Sequence, residues 1–416
     1  MSELGQTITF AKQIYLPRAR LGYAGYVRRD ELALLRLRPG RANPYPIYER
    51  LRRGGGLVQT RRGSWVCTSY PLCDSILRDR RFGPVRAGSE TGAGDDGLDL
   101  SFLNMNPPDH GRLRRLAVPG FTKRAVAGYQ PMLEKVTGEL LDSAACAGRF
   151  DLIDAFAGRL PIAAMCEVLG IPDPDVAAIR QHAAAVSSAM DGVHSLSHAA
   201  RLQTASVELG RLFGDLFDLR RREPGADLIS KLVTAEGDKL TSAEMLSMCV
   251  LLLLAGFETT VSLVGSAVMA LLDNPEQWEA LVADPAGMAG RAVEETLRYE
   301  APIQLNQRFA LEQVEVAGQV MQKDHQVTTL LGAANRDPEV YDRPGTFDIT
   351  RPNPAPHLAF SSGMHYCLGQ PLAILEGTIA LRMLAERMPR LKRAGRVRRH
   401  GNTVRGLLSV PIAVSA

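Results

Sequence analysis

The feature that most constrains this chain is a cysteine placed directly before a predicted helix. Cys367 lies in the segment Phe360-Ser-Ser-Gly-Met-His-Tyr-Cys-Leu-Gly-Gln-Pro-Leu-Ala-Ile-Leu-Glu376. The residues after it carry apolar side chains at helical spacing, at Leu372, Leu375, Ile379 and Leu384. A thiolate at the start of a helix faces unpaired N–H groups and the positive end of the helix dipole. We therefore expect Cys367 to have a lowered thiol pKa and to be able to bind a soft metal.

Two glycines and a histidine surround this cysteine. Gly363 and Gly369 have no Cβ, so the backbone there can pass close to a flat group. The segment resembles the haem-binding loop of the cytochrome P450 family, F-x-x-G-x-H-x-C-x-G-x-x-L-A-x-x-E. The resemblance implies haem b (iron protoporphyrin IX) with Cys367 as the iron ligand, because thiolate ligation favours O–O cleavage. It also implies haem contacts from Phe360, Gly363, His365, Cys367 and Gly369.

One position departs from the family pattern, and one simpler interpretation is open. Ser361 lies where the family most often has glycine, so we expect the local turn of the loop to differ. The simpler interpretation is an inert buried cysteine, or a zinc site formed by Cys367 and His365. Zinc sites need about four ligands in clustered pairs, and no second Cys/His pair appears in the sequence.

A long apolar helix is predicted in the middle of the chain. Thr241-Ser-Ala-Glu244 is a capping box, and no helix breaker follows before Asn274-Pro275. The stretch 248–255 is apolar on all sides, which indicates burial, and it is too short to span a bilayer.

Polar residues interrupt this helix at Gly256, at Glu258 and at the two threonines that follow. Buried carboxylates and hydroxyls are costly unless paired, and glycine and threonine weaken or bend helices. We expect the hydrogen-bond ladder to open here and make room for a small ligand and water. Ala255-Gly-Phe-Glu-Thr-Thr260 resembles the oxygen-activation motif A-G-x-[DE]-T-[TS] of cytochromes P450. The resemblance implies that Ala255 contacts haem, that Thr259 orients dioxygen and its water, and that Glu258 relays protons. A polar kink without chemistry is the alternative.

Two further charged residues lie three positions apart on one predicted helix face. Glu295 and Arg298 resemble the family's E-x-x-R, and Arg351 ends the matching F-D-x-x-R stretch. The resemblance implies that these three residues form a buried network that supports the cysteine loop. A solvated helix face is the alternative, in which case the pair would contribute little to stability.

Haem carries two carboxylates, which need cationic or hydrogen-bonding partners. His110 and Arg114 lie four residues apart in Asn106-Pro-Pro-Asp-His-Gly-Arg-Leu-Arg114 and share a helix face. This segment resembles the family's D-P-P-x-H-x-x-x-R, with asparagine in place of the first aspartate. The resemblance implies that His110, Arg114, Arg308 and His365 bind the haem carboxylates. A surface histidine and a strand-flanking arginine are the alternatives for His110 and Arg308.

The segments that match the family's substrate chamber are mostly apolar. The matching positions are Leu98, Leu100, Phe102, Leu103, Val186, Met190, Leu251, Leu254, Ile303, Leu305, Leu407 and Leu408. Together they predict a lipophilic substrate with few charges, although each side chain alone could equally belong to the core. The glycine-rich stretch 88–97 is predicted to be a loop, and with Gly192 it suggests a mobile lid.

Helical patterns dominate the sequence from Pro107 to about Tyr299, and short strands are predicted elsewhere, at 57–60, 65–68, 314–316, 326–330 and 407–414. This predicts a mainly α protein with small antiparallel β-sheets, as in the cytochrome P450 fold. No linker or repeat divides the 416 residues, so we expect residues 1–416 to form a single cytochrome P450 domain.

The composition, with 45% hydrophobic and 23% charged residues, is that of an ordinary soluble protein. The net charge of +4 gives no reason to expect nucleic acid as a partner. Six scattered cysteines favour a reducing cytoplasm. The N-terminal residues contain no apolar stretch typical of a signal peptide or membrane anchor.

These motifs predict a haem-thiolate mono-oxygenase of the soluble, actinobacterial-like type. It would insert one oxygen atom of O2 into a lipophilic small molecule, by hydroxylation or epoxidation. Electrons would come from a separate ferredoxin and ferredoxin reductase, and we expect a monomer. The alternatives are a peroxide-driven peroxygenase, which commonly lacks the pair formed here by Glu258 and Thr259, and a non-catalytic haem sensor or ligand carrier.

Overall fold

Helices make up most of the computed structural model, which describes residues 15–61, 63–88, 99–193, 195–237, 239–351, 356–401 and 403–414. Residues 15–22 are helical and continue into a π-helical turn at Tyr23–Val27. The α-helices that follow are α1 (Glu31–Leu35), α2 (Arg38–Ala42), α3 (Tyr45–Arg53), α4 (Tyr70–Arg78), α5 (Asp109–Ala117), α6 (Lys123–Cys146), α7 (Leu160–Leu169), α8 (Val176–Ser187), α9 (Leu196–Arg222), α10 (Leu228–Thr234), α11 (Ser242–Asp273), α12 (Pro275–Ala283), α13 (Pro285–Tyr299), α14 (Leu331–Ala334) and α15 (Gln370–Arg387).

Short strands form small sheets beside the helices. The strands are β1 (Leu57–Gln59), β2 (Trp65–Cys67), β3 (Phe82–Gly83), β4 (Arg149–Asp151), β5 (Asn306–Ala310), β6 (Val314–Val316), β7 (Gln319–Met321), β8 (Gln326–Thr329), β9 (Leu391–Arg393), β10 (Arg398–His400), β11 (Gly406–Ser409) and β12 (Pro411–Val414). The largest sheet has the order β1-β2-β8-β5-β3, and smaller sheets have the orders β4-β12-β9, β10-β11 and β6-β7.

The predicted mainly α fold with small sheets is confirmed. The strands predicted at 57–60 and 65–68 are present as the antiparallel pair β1 and β2, with Leu57 opposite Cys67. Strand pairs are antiparallel except β2 with β8, which are parallel with Trp65 opposite Val327. The predicted glycine-rich loop lies outside the described residues from position 89 onward, as does Leu98.

The predicted long helix α11 starts and ends where the sequence indicates. The Thr241 side chain accepts a hydrogen bond from the Glu244 N–H, and the Glu244 carboxylate accepts one from the Thr241 N–H. By length and composition the whole helix could cross a membrane, whereas the apolar stretch 248–255 alone is too short. Its most apolar window is 78% buried inside the protein, so α11 is a core helix.

The cysteine loop is held at the start of α15, which packs against α6, α11 and α13. Gly377 makes this packing close, because a Cβ there would lie 3.0 Å from Val293 of α13 and 3.4 Å from Leu263 of α11. The main hydrophobic core runs through these helices. The loop before α15 is therefore fixed by helices that are themselves buried.

Candidate active site

Cys367 lies between a 3-10 turn, Gly363–His365, and the start of α15. Its own N–H donates to the Phe360 carbonyl over 2.9 Å, which closes the loop. The N–H groups of Gly369 and Gln370 donate to the thiol sulfur. The predicted position at a helix N-terminus is therefore correct.

The expected lowering of the Cys367 pKa is wrong for the free thiol. Burial raises its pKa above the ordinary value, and this outweighs the two N–H groups and the Arg114 guanidinium, which act in the opposite direction. Loss of hydration disfavours the charged form of a buried thiol more than dipoles at a helix end favour it. A positive metal ion bound to the sulfur would reverse this balance.

The two glycines of the loop have different roles. Gly363 has φ +69°, and a Cβ there would lie 2.4 Å from the Leu77 carbonyl oxygen at the end of α4. Glycine is therefore required by the protein's own packing as well as by any flat partner. Gly369 has an ordinary backbone, and a Cβ there would lie 4.0 Å from the Cys367 sulfur. Its missing side chain keeps the space beside the sulfur open.

Ser361, the departure from the family pattern, has a left-handed backbone with φ +62°. Its hydroxyl accepts a hydrogen bond from the Asn306 side chain in β5 over 3.1 Å. The following residue, Ser362, accepts one from Arg78 over 3.0 Å. Side chains from outside the loop therefore hold both serines, a contact that the sequence did not indicate.

Four donor residues predicted to bind carboxylates converge beside this loop. The rings of His110 and His365 lie 4.1 Å apart between centroids. Arg114 donates to the Tyr366 carbonyl over 2.6 Å, next to the cysteine. Arg308 is buried, and its positive charge lowers the pKa of both histidines. The structure thus brings together residues from α5, β5 and the cysteine loop.

This cluster is rich in cations and donors. Burial, with help from neighbouring arginines, lowers the pKa of His110 to about 4 and that of His365 to about 2. Burial also lowers the pKa of Arg308 to about 10. The buried Nε2 atoms of both histidines have no hydrogen-bond partner among the described residues. Such a donor set fits the two carboxylates of haem.

The polar part of α11 differs from its predicted form. The helix runs without interruption through Gly256, so the predicted opening of the ladder is not present as a break. Gly256 instead admits Met165 of α7, whose sulfur would lie 2.5 Å from a Cβ at that position. The Thr259 hydroxyl donates to the Ala255 carbonyl over 2.6 Å, the back-bond expected for a helical threonine.

Accessibility along α11 changes at this point. Residues 251–254 are buried, whereas Ala255 is exposed and Thr259 is half-buried. Glu258 is buried, with 8% of its surface exposed. Residues 255 and 259 are one turn apart. The Thr259 hydroxyl and the exposed Ala255 therefore lie on the same side of the helix.

The predicted ion network is confirmed. Arg298 donates twice to the Glu295 carboxylate, each time over 2.7 Å, and both side chains are buried. Arg351 reaches the same carboxylate over 3.2 Å. Arg298 also donates to the carbonyls of Pro344 and Thr346, each over 2.9 Å. The network therefore ties α13 to the chain that leads to the cysteine loop.

The predicted apolar positions do not all lie in one cluster. Leu100, Phe102, Val186, Leu251, Leu254 and Leu407 belong to the main core. Ile303 and Leu305 border two smaller clusters. Leu103 and Leu408 are exposed and belong to none of these clusters.

Sequence reasoning missed a buried acid and an ion pair between two helices. Glu376 of α15 is buried, and burial raises its pKa to about 8. Its Oε2 atom has no hydrogen-bond partner among the described residues. Arg112 of α5 pairs with Glu244 of α11 over 2.5 Å, a contact that the sequence did not indicate. Both outcomes depend on neighbours from distant parts of the chain.

A zinc site finds no support. In the described part of the chain, no group of three or more His, Cys, Asp or Glu side chains is arranged to hold a metal ion. Protein zinc sites need three or four such ligands. A single cysteine beside a cluster of cationic and hydrogen-bonding side chains fits haem better.

Comparison with known proteins agrees with this geometry. Residues 288–387 match the family model described as Cytochrome P450. The chain is 38% identical to the biotin biosynthesis cytochrome P450 of Bacillus subtilis (strain 168), over 85% of this chain and 91% of that protein. It is 39% identical to the cytochrome P450 monooxygenase PikC of Streptomyces venezuelae, over 89% of this chain and 91% of that protein.

A solved structure gives the same result. The crystal structure of P450BioI in complex with hexadec-9Z-enoic acid ligated acyl carrier protein has a TM-score of 0.83 to this chain. The two are 36% identical, and the match covers 90% of this chain and 99% of that chain. With the cysteine loop and its donor cluster in place, these likenesses show that the chain belongs to the cytochrome P450 family and is a haem-dependent mono-oxygenase.

Proposed function

We propose that this mono-oxygenase hydroxylates or epoxidises a lipophilic small molecule, with residues 1–416 acting as one domain. Most of the positions that match the family's substrate chamber carry apolar side chains, which favour such a substrate. A relative's structure contains a long-chain acyl group on a carrier protein, and an acyl chain is one lipophilic substrate of this kind. We further propose that electrons come from a separate ferredoxin and ferredoxin reductase in the cytoplasm.

The haem would be held from two sides. Cys367 would ligate the iron, and Phe360, Gly363 and Gly369 would shape the surface around the sulfur. His110, Arg114, Arg308 and His365 would bind the two carboxylates. The observation that carries this assignment is the pair of buried histidine Nε2 atoms without partners beside Arg308. When bound, haem supplies oxygen activation and oxygen-atom transfer.

The residues of α11 would supply protons. Thr259 donates its own proton to the Ala255 carbonyl, which leaves its oxygen lone pairs to accept a hydrogen bond from a water. Glu258 directly precedes Thr259, so its side chain points to a different side of the helix. We therefore propose that protons pass from Glu258 through water, with Thr259 holding that water in place.

Coupling of electron consumption to product tests this proposal. Thr259→Ala should still bind haem and substrate and consume NADPH, but release hydrogen peroxide instead of oxidised product. Thr259→Ser keeps the hydroxyl and is the matched control, so it should stay coupled. Glu258→Gln should slow turnover by about 100-fold, as expected when proton transfer is lost.

Three outcomes would contradict the proposal. Unchanged coupling in Thr259→Ala would mean that the threonine only bends the helix. Turnover of the unchanged protein with hydrogen peroxide, but never with NADPH and redox proteins, would favour the peroxygenase alternative. A protein that binds ligands but gives no product with either oxidant would be a haem sensor or carrier.

A further inference from the structure

The N-terminal part of the described chain has an unusual surface, here named the arginine–tyrosine segment (residues 15–29). Of the large hydrophobic side chains that are exposed in the described residues, several lie here: Tyr15, Leu16, Tyr23, Tyr26 and Val27. Val27 is the most exposed of them, at 64%. Exposed apolar side chains that gather in one short segment mark an interaction surface more often than scattered ones do.

The same segment is strongly basic. It contains Arg18, Arg20, Arg28 and Arg29, all exposed, and no aspartate or glutamate. The first acids after it, Asp30 and Glu31, have contacts beyond the segment. Asp30 caps α1 by accepting from the Ala33 N–H over 3.0 Å, and Glu31 pairs with Arg50 over 2.7 Å. The positive charge of the segment is therefore not balanced by acids within it.

The segment is fixed to the rest of the protein on one side. Ala24 and Gly25 are buried, and a Cβ on Gly25 would lie 2.4 Å from the Leu37 side chain. The Asp30 N–H donates to the Ala24 carbonyl over 3.0 Å. Its inner side therefore packs on α1 and the following turn, while the tyrosines and arginines remain outside.

We propose that the arginine–tyrosine segment docks this protein onto an anionic lipid bilayer surface. Arginine and tyrosine both have an apolar body and a polar tip, which suits the level of lipid headgroups. Basic residues near such a surface each add to its attraction. Four arginines within the segment would be costly in the acyl layer, so we place it on the surface and not across the bilayer.

An acidic protein partner is the alternative occupant, and the apolar side chains argue against it. Charge complementarity to an acidic protein needs the arginines alone. A lipid surface uses both the charge and the apolar groups, because it combines anionic headgroups with an acyl layer beneath them.

Docking here would bring the substrate chamber close to the membrane, an interpretation that rests on the proposed lipophilic substrate. A small cavity of about 20 Å³ is lined by Leu35 and Gly40, of the two short helices that follow the segment, and by Leu305. Leu305 is one of the predicted substrate positions. The cavity holds about one water molecule, so passage of a substrate there would require α1 and α2 to move.

Vesicle binding by the haem-loaded, full-length protein tests the proposal. We expect co-sedimentation with phosphatidylcholine vesicles that contain phosphatidylglycerol, and at least about tenfold weaker binding to vesicles of phosphatidylcholine alone. Raising the salt concentration should weaken binding, because exposed charges are screened. The variant Tyr23→Ser/Tyr26→Ser/Val27→Ser should lose most of the binding, and Arg18→Gln/Arg20→Gln/Arg28→Gln/Arg29→Gln should lose it as well. Val320→Ser/Val340→Ser, which changes exposed valines elsewhere, should bind normally.

Other results would overturn the docking proposal. Absence of binding to the anionic vesicles at low salt would do so, as would equal binding by the tyrosine–valine variant. An acidic protein partner would be favoured by two results together. Only the arginine variant would lose vesicle binding, and the unchanged protein would be retained on immobilised polyglutamate. Turnover is measured separately without vesicles, so a failure of the proposed oxidation would not be mistaken for a failure of docking.

Discussion

The side-chain amide of Asn306 donates a hydrogen bond to the Ser361 hydroxyl over 3.1 Å, joining β5 to the cysteine loop. Asn306 lies two residues before Arg308, and Ser361 follows Phe360, whose carbonyl accepts from the Cys367 N–H. The bond therefore links the strand that carries a predicted haem contact to the loop that carries the predicted ligand. It also holds a residue whose φ of +62° lies in the left-handed region, which is unfavourable for most residues other than glycine.

Substitutions at Ser361 should separate the hydrogen bond from the backbone strain. Ser361→Ala keeps the strained backbone and loses the bond, so it should destabilise the protein by about 1 kcal/mol. Ser361→Gly loses the bond but relieves the strain, so its stability should be close to that of the unchanged protein. Thermal unfolding measures the change in stability. The reduced carbon monoxide complex shows what fraction of the protein keeps thiolate ligation.

The partner residue gives the control for this comparison. Asn306→Ala should destabilise by a similar amount, and adding Ser361→Ala should cost little more, because the two residues share one interaction. Fully additive losses in the double variant would show that the hydrogen bond contributes nothing.

Removal of Glu295 should cost much more than removal of an exposed acid. Glu295→Gln leaves the buried Arg298 and the partly buried Arg351 without a full partner, and we expect a loss of about 3–5 kcal/mol with reduced haem content. Glu139→Gln is the matched control, since Glu139 and Lys135 form an exposed pair at 3.9 Å, and it should change stability by less than about 1 kcal/mol. Haem content per protein and unfolding in urea are the measurements. Similar stability losses in both variants would count against a buried network.

Glu376 should make the protein less stable as the pH rises. Burial raises its pKa from 4.5 to about 8, so the folded protein holds a proton that the unfolded chain has released in this range. The protonated acid contributes its full stability below about pH 4.5 and loses it as the pH rises towards 8. Glu376→Gln cannot ionise. The variant should therefore be a few kcal/mol more stable than the unchanged protein near pH 8 or above, and similar to it at low pH. Parallel stability curves for the two proteins across this range would refute the raised pKa.

Local patterns explain what the sequence could predict. The capping box at Thr241, the spacing of His110 and Arg114, and the helix after Cys367 depend on residues that are neighbours in sequence. The family resemblance then predicted that distant segments would meet, as Arg308 and His365 do.

The remaining features depend on tertiary neighbours that no local pattern encodes. Gly256 is needed because Met165 packs against it, and not because the helix opens there. Arg112 of α5 pairs with Glu244 of α11, which is distant in the sequence. The pKa of the Cys367 thiol follows burial more than its place at a helix end. Each outcome is set by a residue that is distant in the sequence or by the surrounding core.

The most direct test of the account is the visible spectrum of the dithionite-reduced protein with carbon monoxide. Haem ligated by the Cys367 thiolate should give an absorption band at about 450 nm, and Cys367→Ala should lack this band. Cys146→Ala, which changes an exposed cysteine elsewhere, is the control and should keep it. Retention of the band in Cys367→Ala, or its absence in the haem-loaded unchanged protein, would contradict the assignment of Cys367 as the ligand.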